Sequence, residues 1–327
     1  GEVVAVDPQL LFQRLLIPVG NDENQLKTAL EYELCSHPAT IVGNNGLMLE
    51  ADKPNLGAEI WKIADQNVQL PSNPTYVIDG GHLLFNMKWQ KGSTFERIFQ
   101  SYENYMLKHY GPNAVIVFDG YPDEPNTKDT THLRRKSTKA GRFVNITPHM
   151  KLNMKKDVFL SVLKNKNLFN QMLKDYINSR SSGIQAIQDN ADADYLIAQT
   201  AITRSKDNQV VVISADTDIL VLLIHGADDS TRNKIFLTSE SVTSAKSLPK
   251  VWDIEQIRIS LGDEVCENFL AVHAFLGCDT VSRIFGFGKG AGLKKFINDE
   301  QFKYYLSVFS NDNCSQDEIA VAGENVI

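Results

Sequence analysis

Aspartate recurs at four apolar runs of this chain: TYVIDGG at 75–81, AVIVFDGYP at 114–122, ADADYLIA at 191–198 and VVVISADTDILVLL at 210–223. A fifth site follows in HAFLGCDT at 273–280, so the set is Asp79, Asp119, Asp192, Asp194, Asp216, Asp218 and Asp279. Apolar β-branched runs read as buried strands, and the ends of parallel strands are where such sheets place their ligands. Carboxylates gathered at one rim repel each other unless a hard cation sits among them. Ligation by oxygen alone selects Mg²⁺ or Mn²⁺ over zinc. Two such ions can activate a water and stabilise the leaving oxygen of a phosphodiester. The charge developing on the phosphate also calls for cations. TKDTTHLRRKSTK at 127–139 offers Lys128, Arg134 and Arg135, arginine being suited to bidentate phosphate contact. Each aspartate alone could equally be a helix cap or turn residue. Asp192 and Asp194, in the first turn of an expected helix, show this best, because the macrodipole offsets part of their charge. The recurrence at five core elements is what favours ligands.

The net charge is −7, which by itself argues against a nucleic-acid partner. The average hides a contrast: Lys128 to Arg180 holds thirteen Lys/Arg against three Asp, a local +10, and the rest carries −17. A basic stretch on an acidic body suits an enzyme with a polyanionic substrate, although a solvated helical face would look the same. The cysteines Cys35, Cys266, Cys278 and Cys314 show neither zinc spacing nor disulfide density, and read as reduced thiols of an intracellular protein, nuclear or cytoplasmic. No HExxH motif is present, which excludes that route to zinc hydrolysis. No run reaches the ~20 apolar residues of a membrane span, and GEVVAVDPQ has no secretory pattern. The start at Gly1 reads as a processed or trimmed end.

The elements that must position these carboxylates alternate. Strands are expected at 76–79, 114–119, 184–187, 210–214 and 234–237, with helices at 93–110 and 191–205 and within 156–179. DILVLLIHG reads as a helix or buried turn, and the end of the chain as helical. This alternation predicts an α/β fold, a mostly parallel twisted sheet flanked by helices. Residues 1–74 read as a mainly helical N-terminal extension without a catalytic motif, and 75–327 as the main domain. The glycine after Asp79 and the one after Asp119 are expected to permit a sharp turn and a phosphate's approach.

In this order the motifs resemble the flap endonuclease superfamily, metal-dependent nucleases with a PIN-like core, from about Thr75 to Phe296. VIDGG is similar to the family's first aspartate motif and VFDGYP to its second. ADADYLIA stands where the family has an acidic pair, usually glutamates, and SADTDILVLL where it has paired aspartates after a strand. LGCDTVSRIFGFGKGAGLKKF resembles the last aspartate followed by a helix–two-turn–helix, although FGFGKG departs from the usual glycine–proline turn. The resemblance implies that the seven aspartates are metal ligands, directly or through water, for two Mg²⁺ or Mn²⁺ ions. It implies a basic helical arch over about 123–182, with Lys128 and Arg134 or Arg135 on the scissile phosphate. A helix–two-turn–helix at about 264–298 would grip duplex backbone through Gly286, Gly288, Lys289 and Gly290, with a K⁺ ion on main-chain carbonyls. Lys136, Lys139, Arg142 and Lys294 join these as nucleic-acid contacts. DNA is the expected partner and RNA the alternative, since PIN-like cores also cut RNA. Flap endonucleases proper start just before the first aspartate strand, whereas here 74 residues precede it. From other classes come a nucleic-acid-binding or scaffold module without turnover, and a phosphatase with an aspartyl nucleophile at Asp216-x-Asp218.

Overall fold

A computed structural model describes residues 22–30, 40–43, 46–50, 52–120, 141–190, 192–228, 231–239 and 250–326. Lys128, Arg134, Arg135, Lys136 and Lys139 lie outside the described residues, as does Cys35. The chain divides into two compact units, 1–49 and 50–327. In the first, helix α1 (Glu23–Leu30) and a bridge between Val42 and Met48 are described.

The second unit holds helix α2 (Lys53–Ile63), then β1 (Thr75–Asp79), α3 (Gly80–Asn86), α4 (Phe95–Tyr110) and β2 (Val115–Phe118). There follow α5 (Lys156–Leu160), α6 (Leu163–Asn178), β3 (Gln185–Gln188), α7 (Asp194–Arg204), β4 (Val210–Ile213) and α8 (Thr217–Gly226). Next come β5 (Ile235–Thr238), β6 (Val251–Asp253), α9 (Ile254–Leu261), α10 (Asp263–Glu267) and α11 (Phe269–Phe275). The chain closes with α12 (Lys289–Asn298), α13 (Glu300–Val308) and α14 (Gln316–Val326). The sheet runs β3-β2-β1-β4-β5-β6, all pairs parallel except β5 with β6. This is the mostly parallel α/β arrangement that the alternation of strands and helices predicts.

Both sheet faces are covered, because alternate residues of each strand feed opposite cores. Val77, Val115, Val117, Val210, Val212, Ile235 and Leu237 pack with Leu56 and Ile60 of α2, with Ile197 of α7 and with Leu220 and Ile224 of α8. Ile78, Ile116, Phe118, Val211, Ile213 and Phe236 pack on the other face with Phe99 and Tyr102 of α4 and Phe169 and Leu173 of α6. Phe159 and Phe169 lie in this second core. Within 156–178, α6 and Phe159 of α5 therefore cover this face of the sheet.

The break in strand order falls between β1 and β4: the chain runs outward through β2 and β3 on one side, and through β5 on the other. Diverging connections leave a crevice there, outside the carboxyl ends of the strands. No described helix is long and apolar enough to cross a membrane.

Candidate active site

Asp79 is the last residue of β1, and Asp119 follows β2 by one residue. The register pairs Asp79 with Val117 and Ile78 with Ile213, so the chain leaving β4 passes beside Asp79. Ser214 Oγ accordingly donates to Asp79 Oδ2 at 2.7 Å. The other oxygen, Oδ1, caps α3 by accepting from the His82 amide at 3.0 Å. A Cβ added at Gly81 would lie 3.2 Å from Asp79 Oδ1 and 3.6 Å from Asp119 Oδ2, so both carboxylates face that backbone.

The two glycines after these aspartates have a different role from the expected one. Gly80 and Gly120 have no positive φ. A Cβ on Gly80 would come within 2.4 Å of the Phe118 ring and 2.6 Å of the Val117 carbonyl oxygen. A Cβ on Gly120 would come within 2.2 Å of the Asp189 carbonyl oxygen. Close packing of neighbouring strand ends excludes a side chain at both positions. The contact at Gly120 also carries the start of α7 to Asp119: the Ala193 amide donates to Asp119 Oδ1 at 3.4 Å, which places Asp192 and Asp194 beside β2. Asp119 Oδ2 has the Lys166 ammonium of α6 at 3.4 Å.

Asp216 caps α8, its Oδ1 accepting from the Asp218 amide at 2.9 Å, while the Asp216 amide donates to the Ser214 hydroxyl at 3.1 Å. Ser214 thus links β1 to the start of α8. Asp218 turns to other partners. Its Oδ2 is 2.5 Å from Lys53 Nζ, and its Oδ1 lies 3.0 Å from His273 Nε2 of α11. The His273 contact has the distance of an ion pair without the alignment of a hydrogen bond. Lys53 Nζ is also 2.8 Å from Asp279 Oδ2. One ammonium therefore joins Asp218 to Asp279.

The electrostatics follow this division. Burial raises the Asp79 and Asp216 carboxyls above the ordinary range, and charged neighbours add to it, Asp119 for the first and Asp218 for the second. Burial would raise Asp218 too, but His273 and Lys53 outweigh it and hold that carboxyl far below the range. Lys53 itself loses to burial but gains more from Asp218 and Asp279, so its ammonium is strengthened.

Among the described residues, no three His, Cys, Asp or Glu side chains converge closely enough to enclose a metal ion. The donor set of Asp79, Asp119 and Asp216 nonetheless fits a hard divalent cation. It is all oxygen, it comes from three adjacent strand ends, and it holds two carboxyls destabilised by burial and mutual charge. Asp218 and Asp279 do not fit in the same way, since Lys53 already neutralises them.

The expected helix–two-turn–helix region contains α10, α11, a turn with Gly286 at φ +82° and then α12. Gly286 and Gly288 face open space, and Lys294 and Arg142 are exposed. Two expectations need correction. Lys289 is buried, 3% exposed, and donates inward to the Gly277 carbonyl at 2.8 Å, so its ammonium is not presented to a duplex. Burial lowers its pKa. Gly277 sits at φ +87°, with a Cβ position 2.8 Å from the Arg283 backbone, so the turn that offers this carbonyl requires glycine. Gly290 faces the Glu59 carboxylate, whose Oε1 would be 3.0 Å from an added Cβ. The Glu59 carboxylate, itself 2.6 Å from Lys62 Nζ, thus lies beside the first turn of α12.

Sequence reasoning missed Lys53, Lys166, Ser214 and His273. Lys166 was counted in the basic stretch without a role. Pro54, in the first turn of α2, is a usable signal for a helix start, but no local pattern ties Lys53 to aspartates more than 160 positions away.

Solved structures with a similar chain course exist. The catalytic core of Rad2 in complex with DNA substrate is 15% identical with a TM-score of 0.44, covering 85% of this chain and 78% of that one. Flap endonuclease-1 from Methanococcus jannaschii is 16% identical with a TM-score of 0.40, covering 80% and 78% respectively. No protein-family model and no curated protein matches the chain. The likeness is one of chain course, and the roles of residues here rest on this chain's own geometry.

Proposed function

We propose that this chain hydrolyses phosphodiester bonds of DNA with the help of Mg²⁺ or Mn²⁺ held by Asp79, Asp119 and Asp216. One observation carries the reading: three carboxylates stand at the adjacent ends of β1, β2 and β4, at the switch point of the sheet, and two of them are made costly by burial. Carboxyls perturbed in this way cluster at functional sites, and a bound cation would relieve the charge that burial makes costly. The bound ion would polarise the phosphate and activate a water.

The chain's own residues do the rest. The His82 amide and Ser214 fix both oxygens of Asp79. Lys166 is placed beside Asp119, where a cation can meet the charge that grows on a phosphate oxygen. Lys128, Arg134 and Arg135 are the further cations proposed for the scissile phosphate. Lys136, Lys139, Arg142, Lys294 and the open Gly286–Gly288 backbone are proposed for the flanking strand. Asp192 and Asp194, beside Asp119, are the reserve ligands. Such a substrate puts the activity inside the cell, in nucleus or cytoplasm.

A second reading, a nucleic-acid-binding module without turnover, is favoured by the Lys53 bridge, which already satisfies two of the expected ligands. Incubation of the purified chain with Mg²⁺ or Mn²⁺ and labelled flap DNA, duplex, single strand and RNA separates the two. Cleavage of a DNA substrate is expected. Asp119→Asn or Asp216→Asn should lower it by about a hundredfold or more. Undiminished cleavage by both variants would remove the proposed site. Binding without cleavage in either metal favours the module, and cleavage of RNA alone the ribonuclease alternative.

A further inference from the structure

We infer that the Lys53 ammonium is a built-in cation that takes the place of a divalent ion between Asp218 and Asp279. The inference deepens the metal-dependent reading above and rests on it only for the identity of the remaining ion. Lys53 Nζ lies 2.5 Å from Asp218 Oδ2 and 2.8 Å from Asp279 Oδ2, so both carboxylates spend an oxygen on it. The other oxygen of Asp218 faces His273 Nε2 at 3.0 Å. A divalent ion at this place would have to displace the ammonium, since Mg²⁺ and Mn²⁺ demand close oxygen ligands and would be repelled by the positive charge.

Two features show that Lys53 is held there and has not merely fallen into an acidic cleft. Its helix is anchored in the core: Leu56 and Ile60 are 0% exposed and pack against the sheet. Gly57 in the same turn lies against Thr217 of α8, an added Cβ there being at ordinary contact distance, 3.5 Å, from Thr217 Oγ1. The start of α2 is thereby fixed against the start of α8, the helix that carries Asp218. Lys53 is also the first residue of α2, where the helix macrodipole disfavours a cation. The local helix gives no reason for lysine there, whereas the two carboxylates do.

An ammonium donates hydrogen bonds and neutralises charge, but it has no coordination site at which to bind and activate a water. Lys53 is therefore a positioning residue: it holds Asp218 and Asp279, and through the amide of Asp218 it steadies Asp216. The consequence is a site with one divalent ion where the family resemblance implies two.

Titration of the chain with Mn²⁺ alone, read as free and bound metal by electron paramagnetic resonance, tests this. The Lys53→Met variant is expected to bind one more Mn²⁺ per chain than the unsubstituted protein. Equal numbers in the two folded proteins overturn the inference, as do two ions in the unsubstituted chain. Lys53→Gln, which keeps a hydrogen-bond donor without the charge, is read by the same difference should the methionine variant fail to fold. Should neither variant fold, the count in the unsubstituted chain decides: one ion or none upholds the inference. Cleavage of DNA in the same Mn²⁺ solutions keeps the two claims apart. Cleavage with equal metal counts leaves the nuclease reading standing and this one lost. An extra ion in the variant without cleavage by either protein does the reverse.

Discussion

Asp216 and Asp218 stand two residues apart, yet their carboxyls are pushed in opposite directions, Asp216 up by burial and Asp218 down by His273 and Lys53 against its own burial. The difference is one of partners. Asp216 turns back to cap its helix and meets a neighbouring carboxylate, whereas Asp218 meets an ammonium. Removing that ammonium leaves two partly buried carboxylates with no compensating charge. Lys53→Met should therefore lower stability by about 3 kcal/mol in urea unfolding without metal. Adding Asp218→Asn and Asp279→Asn should recover most of the loss, because the uncompensated charge goes with the cation. A loss that persists in the triple variant would show that Lys53 acts through packing. The aspartates were legible because an acidic residue after an apolar run is a local pattern. Lys53 was not, since its partners are distant in sequence and a lysine before proline looks like any solvated helix start.

The strands and long helices were legible from periodicity alone, as β1, β2 and β4 with α4 and α7 show. What escaped were elements whose reason is tertiary. β6 has only three residues and is ordered by antiparallel pairing with β5. α3 begins at a pair of glycines that propensity would keep out of a helix, and is started by the Asp79 cap. Its first residue tests the packing account of this corner. Gly80→Ala would drive a methyl into Phe118 and the Val117 carbonyl, and should cost about 1–3 kcal/mol, as overpacking does. If close approach to phosphate were the glycine's purpose, the variant would keep its stability and lose only substrate affinity. α2 gives the complementary case. The sequence reading puts it in the N-terminal extension, and the structure packs it on the sheet, with Ile60 at 0% exposure. Ile60→Ala should cost about 2–5 kcal/mol, read by thermal or urea unfolding. A change near zero would show that this packing contributes little to the fold.

For the molecule as a whole, burial decides which groups meet the solvent, and charge counting in the sequence cannot see it. Burial pushes the Cys266 thiol up to about 11, so its thiolate is scarce below that pH. The sign follows: this thiol favours the fold below its unfolded value near 9 and ceases to do so as pH rises through about 11. Native protein at pH 8.5 should therefore be alkylated by iodoacetamide at Cys278 and Cys314, which are partly exposed, before Cys266, which should react only on unfolding. The same logic governs nucleic-acid binding. Each lysine or arginine on a phosphate releases counterions and adds to the salt dependence of affinity, so a cation without access adds nothing. Lys294 is exposed on α12, whereas Lys289, five residues earlier, points its ammonium at the Gly277 carbonyl. Duplex DNA binding measured in EDTA over a range of salt should distinguish them. Lys294→Ala should weaken binding and flatten the slope of log affinity against log salt by about one. Lys289→Met should leave that slope unchanged, and its cost should show in unfolding. If Lys289→Met flattens the slope instead, its ammonium leaves Gly277 for phosphate when DNA arrives, and the turn is remade on binding.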